Sequence, residues 1–372
     1  MITNIKLDNF KCFKHVGFRL SNLTILTGAN GAGKSSIVQS LLMLRQSYEA
    51  KGSELRNTIL YKGDLTDLDS SNEVLSFSSE EKNIRIELLD NKLDAPFFVN
   101  VPDADKNVKN CEVSDNYDEA IKKISLFNDD FVYLYANRLS PASHYTPSID
   151  PSSTASRLGD KTGNETAFRI SDALANNERL HIEGLRINEA NSDLVSENIS
   201  KWLSYIMDNE TVISVDGSRE DKDAKINFLQ GKDIMTKNMS PLQAAFGFTY
   251  ILPIVTAVIT ASKGSLIIIE NPEAHLHPKA QLRIGEFLAK AADNDVQIIV
   301  ETHSDHFVNG SRIAVKNGMD PSKMAIHFFA IDKDKPFEHY DTPINVDKDG
   351  TIDDWPEGFF DEWEKALMVI NS

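Results

Sequence analysis

The chain has 372 residues, 41% hydrophobic and 26% charged, as in an ordinary soluble globular protein, and is long enough for one large domain or two smaller ones. A formal net charge of −17 argues against non-specific wrapping of nucleic acid, because phosphate binding depends on clustered Lys and Arg; it leaves room for a nucleic acid held by a partner. Cys12 and Cys111 are the two cysteines, so no disulfide framework is implied and a reducing cytoplasm is expected, and Met1 to Lys6 lacks the basic-then-apolar pattern of a secretory signal.

The first segment, "ITNIKLDNFKCFKHVGFRL", predicts two strands, around Ile2–Leu7 and Gly17–Leu20, joined by a turn that carries Asn9, Phe10 and Lys11. An apolar run, Leu23 to Leu26, then enters Gly28-Ala29-Asn30-Gly31-Ala32-Gly33-Lys34-Ser35, followed by Ser36. Ile37, Val38, Leu41, Leu42 and Leu44 space out as a helix with a wide apolar face. This is G-x-x-x-x-G-K-S in strand–loop–helix context. The three glycines let the backbone curl so that its N–H groups face phosphate oxygens, and the helix N-terminus adds its amides and dipole. In such a loop Lys34 supplies charge to the β and γ phosphates and the Ser35 hydroxyl meets Mg²⁺. ATP and Mg²⁺ are therefore the expected ligands.

From about 55 to 238 the chain is rich in polar turn clusters, with no heptad pattern that would make a long coiled coil. Asp172–Ile182 and Asp193–Met207 read as helices of an inserted lid, and Ser140–Thr166, rich in Ser, Pro and Thr, as a surface loop. Arg138 follows a strand-like run, Phe131 to Tyr135. It is placed either to meet a phosphate, nucleic acid or a partner's acid, or to face solvent or a salt bridge.

Ala244 to Ala261 is uncharged over a length that could cross a membrane. Pro253 interrupts it, and Ser262–Ser265 turns directly into the next apolar run, so a buried helix feeding a core strand is the better reading. That run, Leu266 to Ile269, reads as a buried parallel strand ending in Glu270. An acid at such a strand end can reach a metal held by Ser35. Asn271, Pro272, Glu273, His275 and His277 follow, with Pro278 placed to start a helix at Lys279–Ala292. The two histidines could ligate zinc, yet no further Cys/His pair supports that, and a dimer-contact role is preferred. Val296 to Val300 forms another apolar run, ending in Glu301-Thr302-His303-Ser304. The tail, "WPEGFFDEW" and beyond, carries Trp355, Phe359, Phe360 and Trp363, either as a helix packed on the chain's own core or as an interface anchor.

The opening with "NFKCF" resembles the SMC, RecF and Rad50 group of ABC-type ATPase heads, and "YLYANRLSP", "GNET", "GFTYILP", "IENPEAHLHP", "VETHSDHFVNG" and the tail together resemble a bacterial family of stand-alone ABC-like ATPases. These are related to the SMC and RecF heads and to the OLD-family nucleases, and are often found in phage-defence loci. The resemblance implies an α/β fold: an ABC-type head with a mixed β-sheet core, a P-loop helix and a mostly helical inserted lid. It implies that the 9–13 segment lies near the nucleotide base, although Phe10 and Phe13 read equally well as core. It implies a Mg²⁺-ligating role for Glu270, a γ-phosphate-sensing role for His303, and a signature motif that serves the ATP of a second subunit. That motif is degenerate here: Gly247 fits by spacing and Ser240 is the second choice. Asn271 stands where the family usually has the water-activating glutamate. An amide is no base, so the water falls to Glu273, or to Glu270 and His303 together, and turnover is expected to be slow.

The expected organisation is an N-terminal P-loop lobe over 1–54, the rest of the sheet with the insertion over 55–238, a lobe with the signature-like helix, Glu270 and His303 over 239–335, and a tail over 336–372. No Toprim nuclease segment follows His303. The chain thus reads as an ATPase that closes head-to-tail, or in a higher oligomer, around ATP and regulates a separately encoded effector, a nuclease or toxin, with no membrane partner. A non-hydrolysing scaffold and a RecF-like repair ATPase are the alternatives.

Overall fold

The computed structural model describes residues 1–49, 54–77, 79–147, 158–231, 237–332, 334, 339–353 and 355–371. The expected boundary at 335/336 and the middle of the expected 140–166 loop lie outside the described residues. The strands are β1 (Ile2–Phe10), β2 (Phe13–Arg19), β3 (Leu23–Gly28), β4 (Ile84–Asp90), β5 (Phe97–Val101), β6 (Glu112–Val113), β7 (Phe131–Leu134), β8 (Thr211–Ser218), β9 (Asp223–Gln230), β10 (Lys237–Met239), β11 (Leu266–Glu270), β12 (Gln297–Glu301), β13 (Met324–Ile331) and β14 (His339–Ile344). The helices are α1 (Lys34–Glu49), α2 (Ser71–Val74), α3 (Tyr117–Lys123), α4 (Thr166–Ala175), α5 (Val195–Met207), α6 (Phe246–Ile259), α7 (Pro278–Asp293), α8 (Asp305–Lys316) and α9 (Glu362–Ile370).

The central sheet has six strands in the order β14-β13-β3-β12-β11-β7, parallel except for the edge strand β14. Its strands alternate between two cores. Ile267 and Ile269 of β11 pack with α4 to α7, while Leu266 and Ile268 face the other way, toward α1. Burial on both faces is why β11 and β12 read as continuous apolar runs. The α1 core is closed from outside by a five-stranded antiparallel sheet, β2-β1-β4-β5-β6. Sandwiched between two sheets, α1 is buried nearly all round, from Lys34 to Ser47.

β1 and β2 are longer than the sequence pattern indicated, because Phe10 pairs with Phe13 across a tight connection at Lys11–Cys12. The helix expected over Asp172–Ile182 is instead Thr166–Ala175. It stops because Asn177 takes a left-handed φ of 46°, a conformation asparagine tolerates at a helix end. Besides α4 and α5, the lid carries a small antiparallel sheet, β10-β9-β8, against which α4 and α5 pack. α6 is buried along its length apart from Phe246, with Pro253 inside it, and no helix among the described residues is long and apolar enough to cross a membrane. In the tail Phe359 is fully buried against Phe328, whereas α9 displays Trp363, Met368, Val369 and Ile370 to solvent. The tail is thus pinned to the core at Phe359, and the helix beyond it is not folded back.

Candidate nucleotide-binding site

Three parallel strands deliver chemistry to one edge of the central sheet. β3 opens into the glycine loop, β12 ends at Glu301 and β11 at Glu270. β12 lies between the other two, so Glu301 pairs with Leu26 on one side and with Glu270 on the other.

The loop needs its glycines. Gly28 has φ 131°, and a Cβ there would stand 2.1 Å from the Phe329 carbonyl oxygen. Gly33 has φ 111°, and a Cβ would stand 2.6 Å from Phe13 Cζ and 2.8 Å from Cys12 Sγ. The 9–13 segment therefore floors the loop, and Phe10 and Phe13 are core residues as well. Asn30 and Gly31 are exposed at the tip and Ala32 is buried beneath it. Lys34 is 3% exposed, and its Nζ donates to the carbonyls of Gly28 at 2.9 Å and Ala29 at 2.8 Å. Burial lowers its pKa from the ordinary lysine value, with Glu301 opposing. Ser35 is exposed and donates from Oγ to Glu301 Oε1 at 2.9 Å. Ser36 is buried, its N–H on the Gly33 carbonyl and its Oγ 3.7 Å from Cys12 Sγ.

Glu270 is held from behind: Tyr133 donates its hydroxyl to Oε1 at 2.7 Å. Burial raises its pKa, as it does for Glu301, which is 8% exposed. Glu273 returns toward the site and accepts the His303 backbone N–H on Oε1 at 2.8 Å. Burial, then Lys34, lowers the His303 pKa, so the imidazole is neutral near pH 7. One oxygen each of Glu301 and Glu273, Oε2 in both, is buried without a hydrogen-bond partner among the described residues. Such groups are costly unless a ligand or cation completes them. Lys34, Ser35, Glu270, Glu273 and His303 thus gather at one sheet edge, and the chemistry of the donors suits a nucleotide's phosphates with Mg²⁺.

Between Glu270 and Glu273 the backbone is unusual. Asn271 has φ 44°, its N–H donates to the Glu301 carbonyl at 2.8 Å, and its own carbonyl accepts from Arg138 Nη2 at 2.8 Å. Arg138 meets neither solvent nor an acid. It is 2% exposed, stacks 4.1 Å over the Tyr250 ring and donates to the carbonyls of Tyr135, Glu270, Asn271 and Tyr250. Desolvation brings its pKa down to about 10, so it stays charged.

Gly247 lies in the first turn of α6, and a Cβ there would stand 3.2 Å from the His275 carbonyl. Ser240 accepts the Gln243 N–H in the turn just before that helix. His275 packs edge-on against Phe246 and Tyr250, and His277 caps α7 by accepting the Lys279 N–H. Among the described residues, no group of three or more His, Cys, Asp or Glu side chains could hold a metal by itself. Any ion here would need further ligands, as a nucleotide's phosphates provide.

The residues missed from sequence are Glu301 and Tyr133. Glu301 carries the same signal as Glu270, an acid ending an apolar strand. Tyr133 leaves no local signal, because it reaches Glu270 from the neighbouring strand.

Glycine loop, strand order and converging acids define an ABC-like ATPase head. The chain belongs to the family described as "AAA domain, putative AbiEii toxin, Type IV TA system", which matches residues 23–309. Residues 319–370 match a second model, described as a protein of unknown function (DUF3696). No curated protein matches the chain. Among solved structures, an SMC head bound to the C-terminal winged-helix domain of ScpA is similar with a TM-score of 0.54 at 15% identity, over 93% of this chain and 98% of that one. An SMC head with an extended coiled coil, bound to the C-terminal domain of ScpA and derived from Pyrococcus furiosus, has a TM-score of 0.51 at 13% identity, over 100% and 99%. The SMC head domain from Thermotoga maritima scores 0.49 at 13% identity, over 93% and 99%. These likenesses concern the fold.

Proposed function

We propose that the protein binds ATP with Mg²⁺ at this sheet edge, hydrolyses it slowly, and uses the bound state to regulate a separately encoded effector, a nuclease or toxin acting in phage defence. The observation that carries the reading is the convergence of Lys34, Ser35, Glu270, Glu273 and His303 around buried, uncompleted carboxylate oxygens. The loop amides of 28–33 and Lys34 would hold the phosphates, and Ser35 with the strand-end acids would hold Mg²⁺, whose charge offsets that of the phosphates. Glu273 would orient the attacking water and neutral His303 would hydrogen-bond the γ-phosphate. Gly247 and the turn at Ser240 would meet the nucleotide of a second copy arranged head-to-tail. Two of the similar SMC heads are bound to a ScpA domain, and such partner binding supports a partner-regulating role for this chain. The four-part division at 54, 238 and 335 is proposed on the same footing. A second reading, a non-hydrolysing nucleotide-holding scaffold, is favoured by Asn271 at the usual water-activating position.

Steady-state hydrolysis decides between them. Measurable Mg²⁺-dependent turnover is expected, lost in Lys34→Ala and cut at least about tenfold in Glu273→Gln. Wild type at the Lys34→Ala background would leave the scaffold reading standing. Mass measured with and without ATP tests the dimer.

A further inference from the structure

The sequence assigns the metal to Glu270, yet the geometry points to a different acid. We propose that Glu301 is the carboxylate that joins Ser35 directly on the divalent cation of a bound nucleoside triphosphate, with Glu270 standing behind it as an outer, positioning acid. The proposal rests on the ATP-site reading above.

Strand order is the first argument. Neighbouring strands lie about 4.8 Å apart, so Glu301, on the strand adjacent to β3, is one strand nearer to the glycine loop than Glu270. Spacing is the second. Ser35 Oγ and Glu301 Oε1 are 2.9 Å apart. Two cis ligands of octahedral Mg²⁺, each at about 2.0–2.1 Å, stand about 2.8–3.0 Å from one another. A cation can enter between these oxygens with little rearrangement. Availability is the third. Glu270 already accepts from Tyr133, whereas among the described residues Glu301 bonds Ser35 alone and keeps Oε2 buried and unpartnered. Lys34, the nearby cation, spends its ammonium on the Gly28 and Ala29 carbonyls. A buried carboxylate in that state is incomplete until a cation supplies the missing ligand.

The test uses the full chain with Mn²⁺ in place of Mg²⁺. Binding of a fluorescent ATP analogue is first read in EDTA; then the free Mn²⁺ at half-saturation of the nucleotide complex is read by electron paramagnetic resonance. Glu301→Gln preserves shape and the Ser35 hydrogen bond while removing the charge. It should raise half-saturating Mn²⁺ at least about tenfold, more than Glu270→Gln does, and Glu301→Asp should recover part of the loss. A shift within twofold for Glu301→Gln, or a larger shift for Glu270→Gln, overturns the proposal. A wild type that binds no nucleotide under either condition overturns the ATP-site reading instead. Should Glu301→Gln not fold, pulsed resonance on the double variant Glu270→Gln/Glu273→Gln labelled with ¹³C-carboxyl glutamate decides. A glutamate carboxyl coupled to Mn²⁺ supports Glu301, and none overturns it.

Discussion

Arg138→Met tests whether a buried guanidinium fixes the sheet edge that carries Glu270 and Glu273. Arg138 donates to the Glu270 carbonyl, to the Asn271 carbonyl at 2.8 Å and to the Tyr135 carbonyl at 3.1 Å, with a longer contact to Tyr250 at 3.3 Å. Hydrogen bonds from a charged donor contribute about 1.5–3 kcal/mol each. The two to Glu270 and Asn271 alone thus give about 3–6 kcal/mol. Desolvating a guanidinium that has no acid partner offsets part of this, leaving about 2–4 kcal/mol net. Unfolding entropy of about 2.1 cal/mol/K per residue gives about 0.8 kcal/mol/K for this chain, so Tm should fall by about 3–5 °C. Because the lost bonds fix the carbonyls on either side of the Asn271 Cα, kcat should fall more than KM rises. Calorimetry and steady-state kinetics read the two effects. A Tm within about 1 °C of wild type with an unchanged kcat would refute the clamp.

Gly33→Ala places a methyl against Phe13 and Cys12 at a left-handed φ. Nucleotide affinity should drop at least about tenfold, while circular dichroism stays native, for about 1–3 kcal/mol of local strain. Phe359→Ala should cost about 3–5 kcal/mol, because its ring is fully buried. Trp363→Ala, at a site 75% exposed, should stay within about 0.5 kcal/mol; chemical denaturation compares the two.

Signals confined to a few consecutive residues were legible in the sequence. The glycine loop, the strand ending at Glu270 and the buried helix at 246–259 each combine a local pattern with a clear boundary. What escaped depends on which strands become neighbours. The order β3-β12-β11-β7 sets Glu301 against Ser35 and Tyr133 against Glu270, pairings 266 and 137 residues apart in the chain. Arg138 looked like a solvent or phosphate residue because its four acceptors are backbone carbonyls, which carry no side-chain signature. The sheet in the lid escaped although β9 alternates over Asp223–Phe228, since β8 alternates only over its first three residues and the pair is buried by α4 and α5.

Asn271 began as a catalytic glutamate that is missing, and its backbone suggests a different role. With φ 44° it sits where asparagine is tolerated and β-branched residues are strained. Its N–H is tied to the Glu301 carbonyl and its carbonyl to Arg138, so the residue fixes the bend that brings Glu273 back to His303. If the bend is its contribution, Asn271→Gly, which takes the same φ freely, should keep turnover within about twofold. Asn271→Val should lose about 1–3 kcal/mol of stability and most of the turnover, because Glu273 no longer returns to the same place. If Asn271→Gly also loses turnover in a protein of native stability, the amide side chain has a chemical role and this account of Glu273 fails. Under the conformational reading, a left-handed asparagine and a proline move the acid from position 271 to position 273. The acid then accepts the backbone N–H of His303, and the proposed water activation and γ-phosphate sensing would be coupled through that one hydrogen bond.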